Sequence, residues 1–249
     1  MKFTLLLFTL FTTLLFHTLS YSNNNLTPEE YVNVFSSGTN LEKQKAAESL
    51  AWAGLSSPKI FNAIEKDVLA TYKDAELGSE AEFSGWMIKA LAFSGNEKYR
   101  KTLELVSNNA DLGTIRRYAN WSLEKLDEYK LYNPIIAPSS WPENTHPALN
   151  QRLTNMINSD HLLLMRTSSK QIIVKNRHEK KLLDSIEKAV RKYAYKPHDR
   201  RHTNTTLWLC RALASSREDE YIPLFKDIIK NSPSKNIRIR VKRYLKAYY

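Results

Sequence analysis

The chain has 249 residues and a formal net charge of +11, from 37 lysines and arginines against 26 aspartates and glutamates. Its only cysteine, Cys210, excludes an intramolecular disulfide and any paired-cysteine metal or redox site. The sequence also has no zinc-protease motif, glycine-rich phosphate loop or nucleophile elbow, so we predict no catalytic residue, metal or cofactor.

The first 22 residues have the layout of a secretory signal peptide. Lys2 precedes an apolar run from Phe3 to Leu15, and Ser20 and Ser22 stand at −3 and −1 of a cleavage after Ser22. The alternative is an uncleaved anchor, but the run is shorter than the roughly 20 residues that span a bilayer. We therefore expect an exported protein, periplasmic or secreted, without a transmembrane segment in the mature chain.

The remaining chain has helical periodicity nearly throughout. The first helix begins at Thr27, an N-cap followed by proline and two glutamates. Apolar residues then recur at helical spacing in eleven further segments. These predicted helices run over 41–53, 59–72, 81–93, 98–109, 114–126, 148–158, 162–175, 179–194, 204–214, 219–230 and 236–247.

The tryptophans in these helices lie on different helix faces. Trp86 and Trp208 fall on apolar faces and are predicted to be core residues. Trp121 falls off the apolar face, beside Arg117, and this pair is an aromatic candidate for ligand binding. The alternative is that Trp121 packs beneath the segment that follows its helix.

Four prolines between Tyr132 and Pro147 predict a linker over 132–147, because proline is unfavourable inside a helix. This linker divides the mature chain into a first half, 23–131, and a second half, 148–249.

Charge divides unevenly between the two halves. From residue 23 to 134 there are 13 cationic and 16 acidic side chains, whereas from 135 to 249 there are 23 and 10. A net charge of +13 favours an anionic partner, so a basic surface in the second half is the main candidate site. Its predicted residues are Arg238, Lys242, Arg243 and Lys246 on the last helix, with Arg200 and Arg201.

Two equivalent loops carry opposite charge. Asp74, Glu76, Glu80 and Glu82 surround the loop of the first half, whereas the loop from Lys196 to His202 is cationic. Two solvated loops are the simpler interpretation, and head-to-tail self-association through them is the alternative. His198, Asp199 and His202 have metal-binding side chains, but the neighbouring cations oppose a metal there.

Several residues recur at an offset of 122 without a gap. Trp86 matches Trp208, Tyr99 matches Tyr221, and Ile115-Arg116 matches Ile237-Arg238. The sequence therefore predicts an internal duplication with three helical hairpins in each half.

The segments 45–58, 115–126 and 237–245 resemble the second helices of HEAT-like repeats in their apolar, arginine, alanine and leucine positions. This resemblance implies an all-α fold, an α-solenoid of stacked helical hairpins, and specifies no activity. An unrelated helical bundle remains the alternative.

These features favour a non-enzymatic binding scaffold that meets an acidic protein or an anionic envelope polymer through its basic second half. The alternative is a nucleic-acid-binding HEAT-like protein, with or without chemistry on DNA. The signal peptide argues against nucleic acid, because an exported protein rarely meets chromosomal DNA. A third hypothesis, an enzyme with a site near the linker, has only scattered residues in its favour.

Overall fold

The computed structural model describes residues 26–138, 148–197 and 199–249, which form twelve α-helices and two short 3-10 turns without a strand. The prediction of an all-α fold is confirmed. None of the helices within these ranges has the length and apolar character needed to cross a bilayer. The helices are α1 Pro28–Ser37, α2 Asn40–Leu50, α3 Pro58–Thr71, α4 Ser79–Phe93, α5 Arg100–Asn109, α6 Gly113–Ile136, α7 Leu149–Asn158, α8 Leu162–Val174, α9 Lys180–Tyr193, α10 Arg200–Ser215, α11 Ile222–Asn231 and α12 Lys235–Tyr248.

Local sequence explains where the first helices begin. Thr27 Oγ1 accepts a hydrogen bond from the backbone N–H of Glu30, whose carboxylate accepts one from the Thr27 N–H. Thr39 and Glu42 form the same reciprocal pair at the start of α2. Each capping box satisfies N–H groups that have no partner within the helix.

Each half is built from helical hairpins in two layers. In the first half α1 packs against α3, while α2 packs against α4 and α4 against α6. In the second half α7 packs against α9, while α8 packs against α10 and α10 against α12. Each half buries its own apolar cluster, and the second cluster also includes Trp52 and Ile136 from the first half.

Helix bounds recur at the predicted offset. Adding 122 to the bounds of α3 gives those of α9, and adding it to α5 gives α11. Two residues with positive φ, Asn176 at 50° and Arg217 at 59°, likewise match Gly54 at 71° and Gly95 at 58°.

Helix α6 runs to Ile136, ten residues beyond the Leu126 that the sequence predicts as its end. Residues 132–136 of the predicted linker are therefore helical, and Pro134 lies inside the helix. The helix continues because Tyr129, Asn133 and Ile136 extend its buried stripe. The N–H that Pro134 lacks would have bonded the carbonyl of Lys130, so the proline removes one hydrogen bond of the helix. Residues 139–147 of the linker, and the predicted signal peptide, lie outside the described residues.

The extension of α6 packs on the turn that follows α4. A Cβ atom on Gly95 would lie 2.6 Å from the carbonyl carbon of Tyr129 and closer still to the backbone N of Lys130. Asn133, 4% exposed, donates from Nδ2 to the carbonyls of Phe93 and Ser94, each at 2.9 Å. This contact ties the last helix of the first half to its second hairpin.

A buried arginine joins the two halves. Arg152 on α7 is 1% exposed, and its Nη1 donates to the carbonyl of Trp52 at 3.0 Å. Burial lowers the pKa of Arg152 because desolvation penalises its charge, while the nearby Tyr31 opposes this shift. The two halves thus share a polar contact as well as an apolar one.

Candidate functional site

A groove of about 960 Å³ lies between the two halves and is here called the central groove. Helices α2, α4 and α6 of the first half form most of its wall, and α8 of the second half faces them. It is lined by Glu48, Ala51, Trp52, Trp86, Lys89, Phe93, Arg117, Tyr118, Trp121, Lys125, Tyr129, Leu163, Arg166, Thr167, Lys170 and Gln171.

Helical spacing brings cations to the groove from both sides. On α6, Arg117, Trp121 and Lys125 stand four residues apart and therefore lie on successive turns of one face. On α8, Arg166 and Lys170 have the same spacing, whereas the opposite face of that helix is buried. Neighbouring side chains on each row are separated by about 6 Å along the helix axis.

Five cations and one acid line the groove. Lys125 forms an ion pair with Glu128 at 2.6 Å. Lys89, Arg117, Arg166 and Lys170 form no ion pair within the described part of the chain, and Glu48 is the only acidic lining residue. A cleft lined by one sign of charge concentrates its field and attracts anions.

Lys89 lies at the floor of the groove between two aromatic rings. Its Nζ is 4.7 Å from the centroid of Trp86 and 4.2 Å from that of Tyr118. The Tyr118 ring reaches this position because residue 85 is glycine, where a Cβ would lie 2.5 Å from the ring. Partial burial lowers the pKa of Lys89, and the negative charge of Glu82 opposes this shift. The cation–π contacts hold the ammonium group in place without neutralising it.

Trp52 lines the groove, but its indole is part of the second apolar cluster. Its side chain is 4% exposed, and its Nε1 has no acceptor among the described residues. A buried indole N–H usually finds a partner, so this donor carries an uncompensated desolvation cost.

The aromatic candidate pair, Arg117 and Trp121, lies in this groove. Trp121 is 36% exposed and meets Phe93 edge to face, with ring centroids 6.1 Å apart. Arg117 is exposed and donates from Nη2 to Thr114 Oγ1 at 3.0 Å. The alternative is that Trp121 packs beneath the segment that follows its helix. Residues 139–147 of that segment lie outside the described ranges.

The prediction that Trp86 and Trp208 are core residues needs correction, because both are half-buried and Trp86 packs against the edge of the first apolar cluster. Trp86 lines the groove, and Trp208 lies beneath Lys170 and Arg211, whose charged groups are 5.0 and 5.3 Å from its ring centroid. Helical periodicity places both tryptophans on the apolar face of their helix. Each ring lies at the edge of that face, where it also contacts a cation.

The predicted basic surface on α12 divides into two kinds of residue. Lys242, Arg243 and Lys246 are exposed and form no ion pair within the described ranges. Arg238 is half-buried, and its Nη1 donates to the carbonyl of Ser232 at 2.6 Å. Its equivalent in the first half, Arg116, donates likewise to the carbonyl of Ala110 at 2.5 Å. This repeated contact gives Arg238 a structural role at the preceding helix end.

Arg200 and Arg201 are exposed at the start of α10, which Asp199 caps by accepting from the His202 N–H at 2.8 Å. At the other end of α10, Arg211 donates to Tyr248 Oη at 3.4 Å. Eleven residues of helix separate the two ends by about 16 Å. The structure therefore does not bring Arg200 and Arg201 together with the cations near the end of α12.

The two oppositely charged loops are exposed at the described acidic residues, and self-association through them stays a prediction. His198 lies outside the described residues. Within the described ranges no cluster of three or more histidine, cysteine, aspartate or glutamate side chains could hold a metal ion. Cys210 is fully buried, and desolvation raises the pKa of its thiol to about 12.

Sequence reasoning missed Lys89, Arg166 and Lys170. The available signal was the four-residue spacing of Arg166 and Lys170 on the polar side of α8, but periodicity does not say which helix faces which.

Comparison with known proteins gives no family to which this architecture can be assigned. No protein-family model matches the chain, and neither a curated protein nor a solved structure is significantly similar to it.

Proposed function

We propose that this chain is a non-enzymatic binding scaffold for an anionic ligand, an acidic protein or an anionic polymer, and that the central groove is its site. The observation that carries the proposal is the excess of five cations over one acid on facing walls of a single cavity. The proposal moves the site from the second half alone to the junction of both halves.

The groove is better suited to this task than the exposed cations of α12. Its volume of about 960 Å³ falls within the roughly 300–1,000 Å³ of ligand sites. Its aromatic walls lower the local dielectric, which strengthens each charge contact. Cations on a convex helix face are instead screened over about 8 Å at physiological ionic strength.

The alternative function is nucleic-acid binding, including chemistry on DNA. It is favoured by the exposed ring of Trp121 between Arg117 and Lys125, since single-stranded nucleic acid is held by cationic grooves with aromatic platforms. A homopolymeric single-stranded DNA therefore belongs in every binding experiment.

Two charge-matched variants test the location of the site. The groove variant combines Arg117→Glu, Arg166→Glu and Lys170→Glu, and the α12 variant combines Lys242→Glu, Arg243→Glu and Lys246→Glu. Because both reverse three cations, the formal net charge changes equally. We expect the groove variant to bind heparin roughly 3- to 150-fold more weakly, at about 0.2–1 kcal/mol for each of the three contacts, and the α12 variant to bind nearly as the unchanged protein does.

Titration by calorimetry at two salt concentrations measures these affinities, and circular dichroism checks that both variants are folded. Normal heparin binding by a folded groove variant would contradict the proposed site. A loss confined to the α12 variant would restore the predicted basic surface, and tighter binding of single-stranded DNA than of heparin would favour the alternative function.

The proposal includes the architecture that the sequence predicts: an internally duplicated α-solenoid of HEAT-like hairpins. It is supported by helix bounds that recur at an offset of 122, by the matched positive-φ residues, and by the matched contacts of Arg116 and Arg238. The uninterrupted offset favours duplication over an unrelated bundle.

We further propose that the protein is exported to the periplasm or secreted after cleavage of residues 1–22. The short apolar run and the serines at −3 and −1 support this. We expect intact-mass measurement of the exported protein to give a chain that begins at Asn23. A full-length mass in the membrane fraction would favour the uncleaved anchor.

A further inference from the structure

Each half presents one tryptophan with a cation three residues later. In the first half Lys89 lies 4.7 Å from the ring centroid of Trp86, and in the second half Arg211 lies 5.3 Å from that of Trp208. The two pairs occupy positions that differ by 122 in the sequence. The chain therefore carries the same cation–aromatic arrangement twice.

Lys170 connects the two arrangements. It lines the central groove from α8, and its Nζ also lies 5.0 Å from the ring centroid of Trp208 on α10. Arg166 and Lys170 on α8 thus begin a line of cations, here called the cationic row, that reaches α10 at Trp208. No acidic side chain among the groove-lining residues interrupts this row.

The cationic row continues from α10 to α12. Arg211 donates from Nε to Tyr248 Oη at 3.4 Å, and both Arg211 and Arg240 act electrostatically on the neighbouring Tyr244. Helices α8 and α10, and α10 and α12, pack against each other, and packed helices lie about 8–10 Å apart. The row therefore extends roughly 20 Å beyond the groove.

From this arrangement we infer that the ligand is a linear polymer other than a nucleic acid, with repeating sulfate or phosphate groups, which leaves the groove over Lys170 and is held again at Arg211 and Arg240. This inference rests on the proposed anion-binding function. The Lys89–Trp86 pair and the Arg211–Trp208 pair are equivalent cation sites, and two such sites in succession suit a ligand whose charged unit repeats.

The same contacts favour charge recognition over base stacking. Cations lie over the rings of Trp86 and Trp208, so these rings present a positive charge rather than a bare face. A folded acidic protein fits less well, because the site is a groove between facing helices rather than an open surface.

The test measures the affinity of the full protein for heparin oligosaccharides from disaccharide to dodecasaccharide. We expect affinity to rise with chain length until the ligand spans both sites. The double variant Arg211→Gln and Arg240→Gln should bind the dodecasaccharide about 4- to 25-fold more weakly, at two- to fivefold per contact, and the disaccharide normally. The matched control, Lys242→Gln and Lys246→Gln, changes two exposed cations of α12 that do not share the face of Arg240, and it should bind both normally. Because Arg211 is half-buried, Arg240→Gln alone serves if the double variant does not fold.

The outcomes separate this inference from the proposed function. If the disaccharide binds as tightly as the dodecasaccharide, and Arg166→Gln weakens both equally, the groove is the site and the extended row is wrong. If Arg166→Gln weakens neither, the proposed function itself fails. Tighter binding of single-stranded DNA than of heparin of equal charge would overturn the polymer class in favour of nucleic acid.

Discussion

Replacing Gly95 by alanine is expected to lower the free energy of unfolding by roughly 2–6 kcal/mol. Gly95 has a φ of 58°, a left-handed conformation that costs a residue with a Cβ about 1–3 kcal/mol. The added Cβ would also lie 2.6 Å from the backbone of Tyr129, and backbone cannot rotate away as a side chain can. Denaturant unfolding followed by circular dichroism measures the loss.

Arg217 is the matched control for this substitution. It occupies the equivalent position in the second half with nearly the same φ, 59°, and α12, described as far as Tyr248, does not include the turns that α6 packs on Gly95. Arg217→Gly should therefore change the unfolding free energy by no more than about 1 kcal/mol. Equal changes in the free energy of unfolding at the two positions would show that the packing of α6 is not the reason why residue 95 is glycine.

Replacing Asn133 by aspartate should destabilise the protein by about 3–5 kcal/mol at neutral pH. The substitution keeps the shape of the side chain and removes the Nδ2 donor that faces four acceptors. These are the carbonyls of Phe93 and Ser94 at 2.9 Å, Ser56 Oγ at 3.1 Å and the carbonyl of Leu55 at 3.3 Å. Three of these oxygens are carbonyls with no proton to donate, and the Ser56 hydroxyl already donates to the carbonyl of Ser94 at 2.7 Å, so a buried carboxylate would lack a favourable partner.

The destabilisation should depend on pH. Burial and the surrounding oxygens would raise the pKa of the introduced carboxyl above its ordinary value of about 3.9. The folded form then binds a proton more readily than the unfolded form, so stability relative to the unchanged protein falls as pH rises through the folded-state pKa. Unfolding measured at acidic and at neutral pH should reveal this trend.

Asn133→Ala separates the introduced charge from the lost donors. It removes the same hydrogen bonds without a titrating group, and we expect a smaller loss of about 1–3 kcal/mol that does not change with pH. A loss for the aspartate variant that is equally independent of pH would contradict the environment described for this side chain.

The helices are predictable from sequence because their signals are local. Thr27 with Glu30 fixes the start of α1, and the prediction of 59–72 differs by one residue at each end from α3, Pro58–Thr71. The end of α6 is not predictable in this way. Pro134 is a local stop signal, and it is overridden by tertiary contacts of Asn133 with residues about 40 and 78 positions away.

The candidate site was only partly predictable for a related reason. Trp121 and Arg117 stand out because they break the apolar pattern of their own helix. Lys89 and Arg166 become neighbours of this pair only when α4, α6 and α8 meet. The charge of each half was also a poor guide, because the first half has a net charge of −3 yet supplies three of the five cations in the groove.

The burial of Cys210 makes the protein a convenient background for site-specific labelling. Its thiol is fully buried and has a pKa of about 12, so maleimide reagents should leave it unmodified in the folded state. A single cysteine introduced at exposed Glu48 or Lys170 would then be the reactive position. A fluorophore attached there would report changes in its surroundings at the groove as ligand is added, without prior removal of the native thiol.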